Sequence, residues 1–392
     1  MANAMTFDQL ATVLTAITQQ VTGQQNISVT DTSSFVNVGQ LALSVGYDPV
    51  LNAINQMIAR TIFSVRPYRR KFQGLSVTNE KYGMVTRKIT FADQGFDDNQ
   101  EYDLEDGQSY DMYKVKKPSA LQLNFYGIET YHKSTTVFKD QLDSAFTGPD
   151  QLNSFLSAQM QNINDVIEQA HESTARMTIA NLMGGILAER DDSPQVVHLL
   201  TEYNEETGQT LTYEQIMGPQ YFSTFWPWVF GRVKDVASML TERLATYHIN
   251  IDSKPVLMRH TPYSDQHIYM NQKYFYKTAS QLLPFAFSDN GLQVSDFEGV
   301  NFWQSSNSPY AIQVTPSVLD HTTGNVKKAV EVNKDHILGI IFDREAAGMT
   351  TVNQWQATTP LNTLGGYWNT DWHWAEKYWN DFTENAVVFV ID

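Results

Sequence analysis

The chain contains no cysteine. Disulfides, thiolate metal sites and cysteine nucleophiles are therefore excluded, and the composition fits a reducing compartment or indifference to redox. Basic residues are missing from the start of the chain: the first is Arg60. A secretory signal opens on a positive region, and none is present. No apolar run approaches the ~18–20 residues of a membrane span. A soluble protein made in the cytoplasm, without membrane contact, is the expectation. Cations are scarce throughout, with 27 Lys and Arg against 43 Asp and Glu and a formal net charge of −16. Such a chain does not coat itself with nucleic acid by bulk attraction, and any DNA contact needs a local basic patch.

Motifs for chemistry are also missing. There is no His-Glu-x-x-His or comparable zinc spacing, no Gly-rich phosphate loop and no Gly-x-Ser-x-Gly elbow. His260 and His267 stand seven apart, and His373 lies between Trp372 and Trp374. Asp343-Arg344-Glu345 reads as a salt-bridge cluster at a strand end, since nothing places an acid and a base around a cleft. No catalytic residue, metal ligand or cofactor is assigned, and an enzyme is not expected.

The 392 residues are 42% apolar and 12% aromatic, with 8 Trp and 19 Tyr. That is enough to bury a sizeable core, and Tyr and Trp also suit large subunit contacts. Residues 1–45 are rich in Thr, Gln, Ser and Asn. Ala2 to Val21 suits a loose helix with Leu10, Val13, Leu14 and Ile17 at helical spacing, and Gln24 to Asn37 an extended arm. Such an arm cannot bury much of itself, so it stays mobile or docks elsewhere. Asp48-Pro49 starts another helix, with Val50, Ile54, Met57, Ile58 and Ile62 on one face.

Arg66-Pro67-Tyr68-Arg69-Arg70-Lys71 is the one dense basic cluster. A strand follows, with Val85, Arg87, Ile89 and Phe91 on one face. Residues 93–111 carry Asp93, Asp97, Asp98, Glu101, Asp103, Glu105, Asp106 and Asp111 with no basic residue, and then come Lys114, Lys116 and Lys117. Ala120 to Tyr126 returns as a strand. Strand, acidic excursion and strand form a long two-stranded flap, which is marginal in water and needs a partner surface. As a calcium site the acidic run fails, because Asp103-Leu104-Glu105-Asp106-Gly107 lacks the EF-hand spacing. The preferred reading is electrostatic, with the acidic flap facing Arg66, Arg69, Arg70 and Lys71 of an adjacent copy. Intramolecular ion pairs are the plain alternative for that basic cluster, and non-specific phosphate contact is a further one.

Thr147-Gly148-Pro149-Asp150 is a helix start. Leu152, Phe155, Leu156, Met160, Ile163, Val166, Ile167, Ala170, Met177 and Met183 then recur every three or four residues over 150–188. Such a helix reaches roughly 50 Å, and Gly184-Gly185 reads as its weak end. Residues 189–224 read as irregular. A helix is expected after Trp226-Pro227-Trp228, a strand at Val256 to Met258, and a helix from Thr261-Pro262 through Tyr274. Strands are expected at 300–303, 311–315 and 337–342, and the chain closes on the apolar strand Asn385 to Ile391. The class is α+β.

This order of elements resembles the major capsid protein of tailed double-stranded DNA phages, the fold named after phage Hong Kong 97. Trp368 to Ile391 is similar to the closing strands of capsid proteins from short-tailed phages. Phe297-Glu298-Gly299-Val300-Asn301-Phe302 is similar to the Gly-centred turn of the axial lobe, and Ile337 to Val352 to the strand returning from it. The resemblance implies an N-terminal arm with first helix (1–65), a lead-in (66–81) and an extended E-loop hairpin (82–126). It further implies a peripheral domain with the spine helix (127–225), an axial domain (226–336) and return strands (337–392). In that family the flap lies on an adjacent subunit and the axial lobes meet around five- and six-fold axes.

The implied function is a structural subunit of an icosahedral head, assembled in the bacterial cytoplasm from pentamers and hexamers that enclose DNA. Scaffolding and portal proteins are the implied partners, with non-specific DNA contact on the inner face. Candidate intersubunit residues are Arg66, Arg69, Arg70, Lys71, Asp97, Asp98, Glu101, Asp103, Glu105, Asp106, Lys114, Lys116 and Lys117. Some family members cross-link a flap lysine to a neighbour, but no motif supports that here. Two rivals remain: an encapsulin-like nanocompartment shell holding enzyme cargo, and a carbohydrate-binding or carbohydrate-cleaving protein using Trp226, Trp228 and the aromatics of 368–379. Against the second, Trp368, Trp372, Trp374 and Tyr378 alternate as in sheet packing.

Overall fold

The computed structural model describes residues 6–62, 72–75, 86–91, 104–109, 111–113, 120–252, 254, 256–274 and 297–392. Three helices open it: α1 (Phe7–Thr22), α2 (Thr32–Val45) and α3 (Tyr47–Ile62). α1 buries Leu10, Leu14 and Ile17, the expected face, and stops at Gly23, whose φ of 72° suits a residue without Cβ. The expected extended arm at 24–37 is corrected from residue 32 onward, where α2 begins. Its start is a reciprocal cap: the Ser34 N–H donates to the Asp31 carboxylate at 2.7 Å, and the Asp31 N–H donates to Ser34 Oγ at 2.9 Å. The arm also buries more than its polar composition implies. Leu14, Phe35, Val50, Ile54 and Ile58 all pack inside this same chain.

The flap strands β1 (Thr86–Phe91) and β2 (Ala120–Phe125) pair antiparallel, with Thr86 opposite Phe125 and Phe91 opposite Ala120. They are followed by β3 (Ile128–Phe138), α4 (Lys139–Ala145) and α5 (Pro149–Arg190). α5 has 42 residues, which is about 63 Å of helix at 1.5 Å per residue. It starts at Pro149, as expected, but does not end at Gly184-Gly185. Those glycines let two neighbours approach: a Cβ at Gly184 would lie 2.4 Å from Val314, and one at Gly185 2.5 Å from the Phe382 ring.

The expected irregular stretch at 189–224 is corrected by β4 (Val196–His198), α6 (Leu199–Thr207), α7 (Tyr213–Ile216) and α8 (Pro219–Met239). Gly218-Pro219 opens α8 with Pro in its first turn. Trp226-Pro227-Trp228 lies inside α8 rather than before it. The expected helix at 261–274 is one tight turn at Tyr263–Asp265 and then a strand, β5 (Gln266–Asn271). Sheet pairing overrides local preference there, because β5 lies between two partners. Val256 to Met258 forms no strand; the nearby pairing is a single bridge between Leu244 and Arg259.

The remaining strands are β6 (Glu298–Val300), β7 (Ile312–Val314), β8 (Ser317–Leu319), β9 (Val326–Lys328), β10 (Val332–Lys334), β11 (Ile337–Asp343), β12 (Ala347–Thr358), β13 (Tyr367–Asn380) and β14 (Ala386–Val390). A five-stranded sheet has the order β4-β14-β11-β5-β6, and a three-stranded antiparallel sheet the order β12-β13-β3. β14 is buried on both faces. Val388 and Val390 meet the C-terminal half of α5, while Val387 and Phe389 meet α6 and α8. The three-stranded sheet turns Trp368, Trp372 and Trp374 onto α1–α3 and the N-terminal half of α5. The last residue of the sequence, Asp392, is fixed by His198 Nδ1 at 2.7 Å and Lys334 Nζ at 2.5 Å.

Ala is the better helix former than Gly by about 1 kcal/mol. Gly185→Ala is nevertheless expected to destabilise the fold by about 1–3 kcal/mol, because the added methyl overpacks against Phe382. Urea unfolding would read the sign. The His198 pair supplies a pH test. Burial alone lowers this imidazole's pKa, but its bonds to Asp392 and to the Asp191 carbonyl outweigh burial and raise it above 6.5. A raised folded-state pKa stabilises fully below the unfolded value and is lost as pH rises through the folded value. His198→Ala should therefore lower the urea midpoint more at about pH 6 than at about pH 9; equal losses at both would exclude the coupling.

Candidate functional site

The flap exposes several large apolar side chains among its described residues. Along β1 the expected face, Arg87, Ile89 and Phe91, is exposed, Ile89 by 55% and Phe91 by 68%. The opposite residues, Lys88 and Thr90, turn toward the body and are partly covered. Met112, Tyr113 and Tyr126 are exposed too. On the outward face of the hairpin Ile89 stands opposite Gln122 and Arg87 opposite Asn124, so the exposed apolar side chains there are interleaved with polar ones.

An ion cluster seats the flap's base. Lys88 Nζ lies 2.9 Å from Asp381 Oδ2, 2.5 Å from Glu384 Oε1 and 3.0 Å from Glu345 Oε2. The Asp381 side chain is 1% exposed and that of Glu384 is 8% exposed. Arg259 Nη2 pairs with Glu384 at 3.0 Å, and its Nε donates to the Thr383 carbonyl at 3.0 Å. Asp381 Oδ1 accepts from the Thr383 N–H at 2.9 Å and its hydroxyl at 2.6 Å. Burial alone lowers the Lys88 pKa, but the Asp381 and Glu384 carboxylates outweigh it and hold the ammonium well above its ordinary value. Burial pushes the Glu384 carboxyl up, and Lys88 and Arg259 pull it only part of the way back. With its ammonium stabilised by two buried carboxylates, Lys88 serves the cluster as a cationic joint.

Of the sequence-predicted contact residues, Glu105 and Asp106 lie in a solvent-exposed turn. Arg66, Arg69, Arg70, Lys71, Asp97, Asp98, Glu101, Asp103, Lys114, Lys116 and Lys117 fall outside the described residues. Among the described residues, no group of three or more His, Asp or Glu side chains is arranged to hold a metal ion, and no helix is long and apolar enough to cross a membrane. Asp343-Arg344-Glu345 does sit at a strand end in ion pairs, Arg344 with Asp265 at 3.2 Å and Glu345 with Lys88. The sugar-binding surface is corrected: Trp226, Trp368, Trp372 and Trp374 are buried in cores and offer no face for stacking.

A profile of the Phi29-like phage major capsid protein family matches residues 12–208. The chain belongs to this family. Comparison with curated proteins found no match. Among solved structures, a chain from the capsid of Staphylococcus phage Andhra superimposes with a TM-score of 0.52 at 12% identity, covering 82% of this chain and 84% of that one. A chain from the structure of head fiber and inner core protein gp22 of native bacteriophage P68 gives 0.51 at 12% identity, covering 82% and 85%. The fold is thus the α+β, Hong Kong 97-like capsid fold. This capsid protein is a structural subunit of a phage head and resides in the virion capsid, and the family's role is structural rather than enzymatic.

Sequence reading missed Lys88, Arg259, Asp381 and Glu384. Lys88 lies 293 residues from Asp381 and 296 from Glu384, and no local pattern announces so distant a meeting. One signal was available: a lysine on the alternate face of a flap strand whose other face is apolar.

Proposed function

We propose that the chain self-assembles into pentamers and hexamers of an icosahedral shell enclosing double-stranded DNA. The observation that carries the reading is the family match, joined by exposed apolar side chains in the flap region, Ile89, Phe91, Met112, Tyr113 and Tyr126. On this reading the flap (82–126) covers a neighbour and the lobe of 226–336 meets its copies around the symmetry axes. Residues 127–225 and 337–392 form the body, and 66–81 lead into the flap. Because α1–α3 pack on their own chain, the described part of the 1–65 segment, residues 6–62, contributes a fixed surface more than a free arm. Each copy makes many modest contacts, from arm, flap and axial lobe, that sum to interfaces of at least ~2,000 Å².

Electrostatic register comes from the acidic flap residues Asp97, Asp98, Glu101, Asp103, Glu105 and Asp106 facing Arg66, Arg69, Arg70 and Lys71 of an adjacent copy, with Lys114, Lys116 and Lys117 at the flap's return. Scaffolding and portal proteins complete assembly in the host cytoplasm, and DNA is held on the inner wall by non-specific phosphate contact.

The expressed chain, examined by size-exclusion chromatography and negative-stain microscopy, is expected to give rings or closed shells. A stable monomer with glycan-binding or catalytic activity would overturn the reading. The double charge reversal Arg69→Glu and Arg70→Glu is expected to leave circular dichroism unchanged and impair shell formation. Shells of normal yield would remove the flap's proposed ionic partner.

A further inference from the structure

The strongest unassigned feature is the ion cluster under the flap. Lysine carries three N–H donors on one compact centre. Three carboxylates meet them, and they come from two different turns. Glu345 lies in the turn between β11 and β12; Asp381 and Glu384 lie in the turn between β13 and β14. Those turns join the five-stranded sheet to the three-stranded one. A single ammonium therefore ties the flap to the seam between both sheets. Arg259 braces the same spot, pairing with Glu384 and reaching Thr90 Oγ1 at 3.4 Å. The groups around the cluster are Arg243, His260, Asp265, Asp343 and Arg344, all lining the depression beside it.

We propose that Lys88 is the positioning residue of the flap, a three-way ionic latch that fixes the angle at which β1 and β2 leave the body. A two-stranded ribbon has little stability or direction of its own. Among the described residues its inner side is anchored by Leu121 against the core and by Lys88 and Thr90 against the seam, with Leu123 and Phe125 half-buried beside them. The Lys88 ammonium is the anchor that also sets rotation, because its partners lie on two sides. Arginine cannot replace it, since a planar fork does not direct donors at three converging carboxylates from one point. The purpose of the latch rests on the assembly reading above; the latch itself is a property of one chain.

The test is amide hydrogen exchange on the dilute, unassembled chain, read over 86–91 and 120–125. Lys88→Met strands the buried Asp381 carboxylate and can fail by unfolding. The double variant Lys88→Met with Asp381→Asn removes both charges and leaves the Arg259–Glu384 pair intact. It is expected to unfold at nearly the wild-type urea midpoint while both flap strands exchange about tenfold faster or more. Lys88→Arg is expected to speed flap exchange too, despite keeping the charge. Wild-type exchange in the folded double variant would overturn the proposal. Faster exchange with normal shells would uphold the latch and instead remove the flap from assembly.

Discussion

One helix shared by two cores is the constraint on which the rest of this subunit depends. The N-terminal half of α5 places Leu152, Leu156, Ile163 and Ile167 among α1–α3 and the tryptophans of β13. Its C-terminal half places Ala175, Ile179, Leu182, Met183 and Ile186 against the five-stranded sheet. Between these halves the buried face turns polar, with Asn164, Glu168, His171 and Thr174. His171 there faces the Glu376 carboxylate of β13. Buried polar groups are costly unless partnered, and here the sheet offers polar side chains to the helix, Glu376 facing His171 and the Tyr131 hydroxyl 3.1 Å from that of Thr174. The two cores are thereby held at a set distance along one rigid rod.

Periodicity made this rod legible from the residues alone. Apolar positions from Leu152 to Met183 repeat at helical spacing, and Pro149 marks the start. The terminal strand was legible too, because Val387 to Ile391 is apolar at every position, as a strand buried on both sides must be. What escaped was structure decided at a distance. β5 reads locally as helix, but its ladders to β11 and β6 set its form. α2 escaped because its signal is a cap, Asp31 with Ser34, ahead of a stretch rich in Ser and Val and containing Gly39, all weaker helix formers than Ala or Leu. Gly184 and Gly185 looked like a helix end; their small size serves the close approach of Val314 and Phe382.

The functional surface divides in the same way. The flap was visible as two strands around an acidic excursion, but its attachment was not. Lys88, Arg259, Asp381 and Glu384 are ordinary charged residues until folding brings them together. The aromatic clusters show the opposite case. Trp226, Trp368, Trp372 and Trp374 stand out in the sequence, yet all fill cores. Trp355 is the contrast, 51% exposed and stacked on His373 with ring centroids 4.0 Å apart. Residue type alone does not separate these tryptophans; the phase of the strand does.

The place of β14 in its sheet has a bearing on timing. Of the described elements it leaves the ribosome last, yet it lies between β4 and β11. Until it arrives, a slot stays open through the middle of the nascent subunit, with Ile340 and Phe342 on one side and Leu338 and Ile341 on the other lacking their cover. Chains still being translated on one messenger therefore remain unfinished until their closing strand slides home. A subunit without β14 has no continuous five-stranded sheet, because β4 reaches β11 only through it.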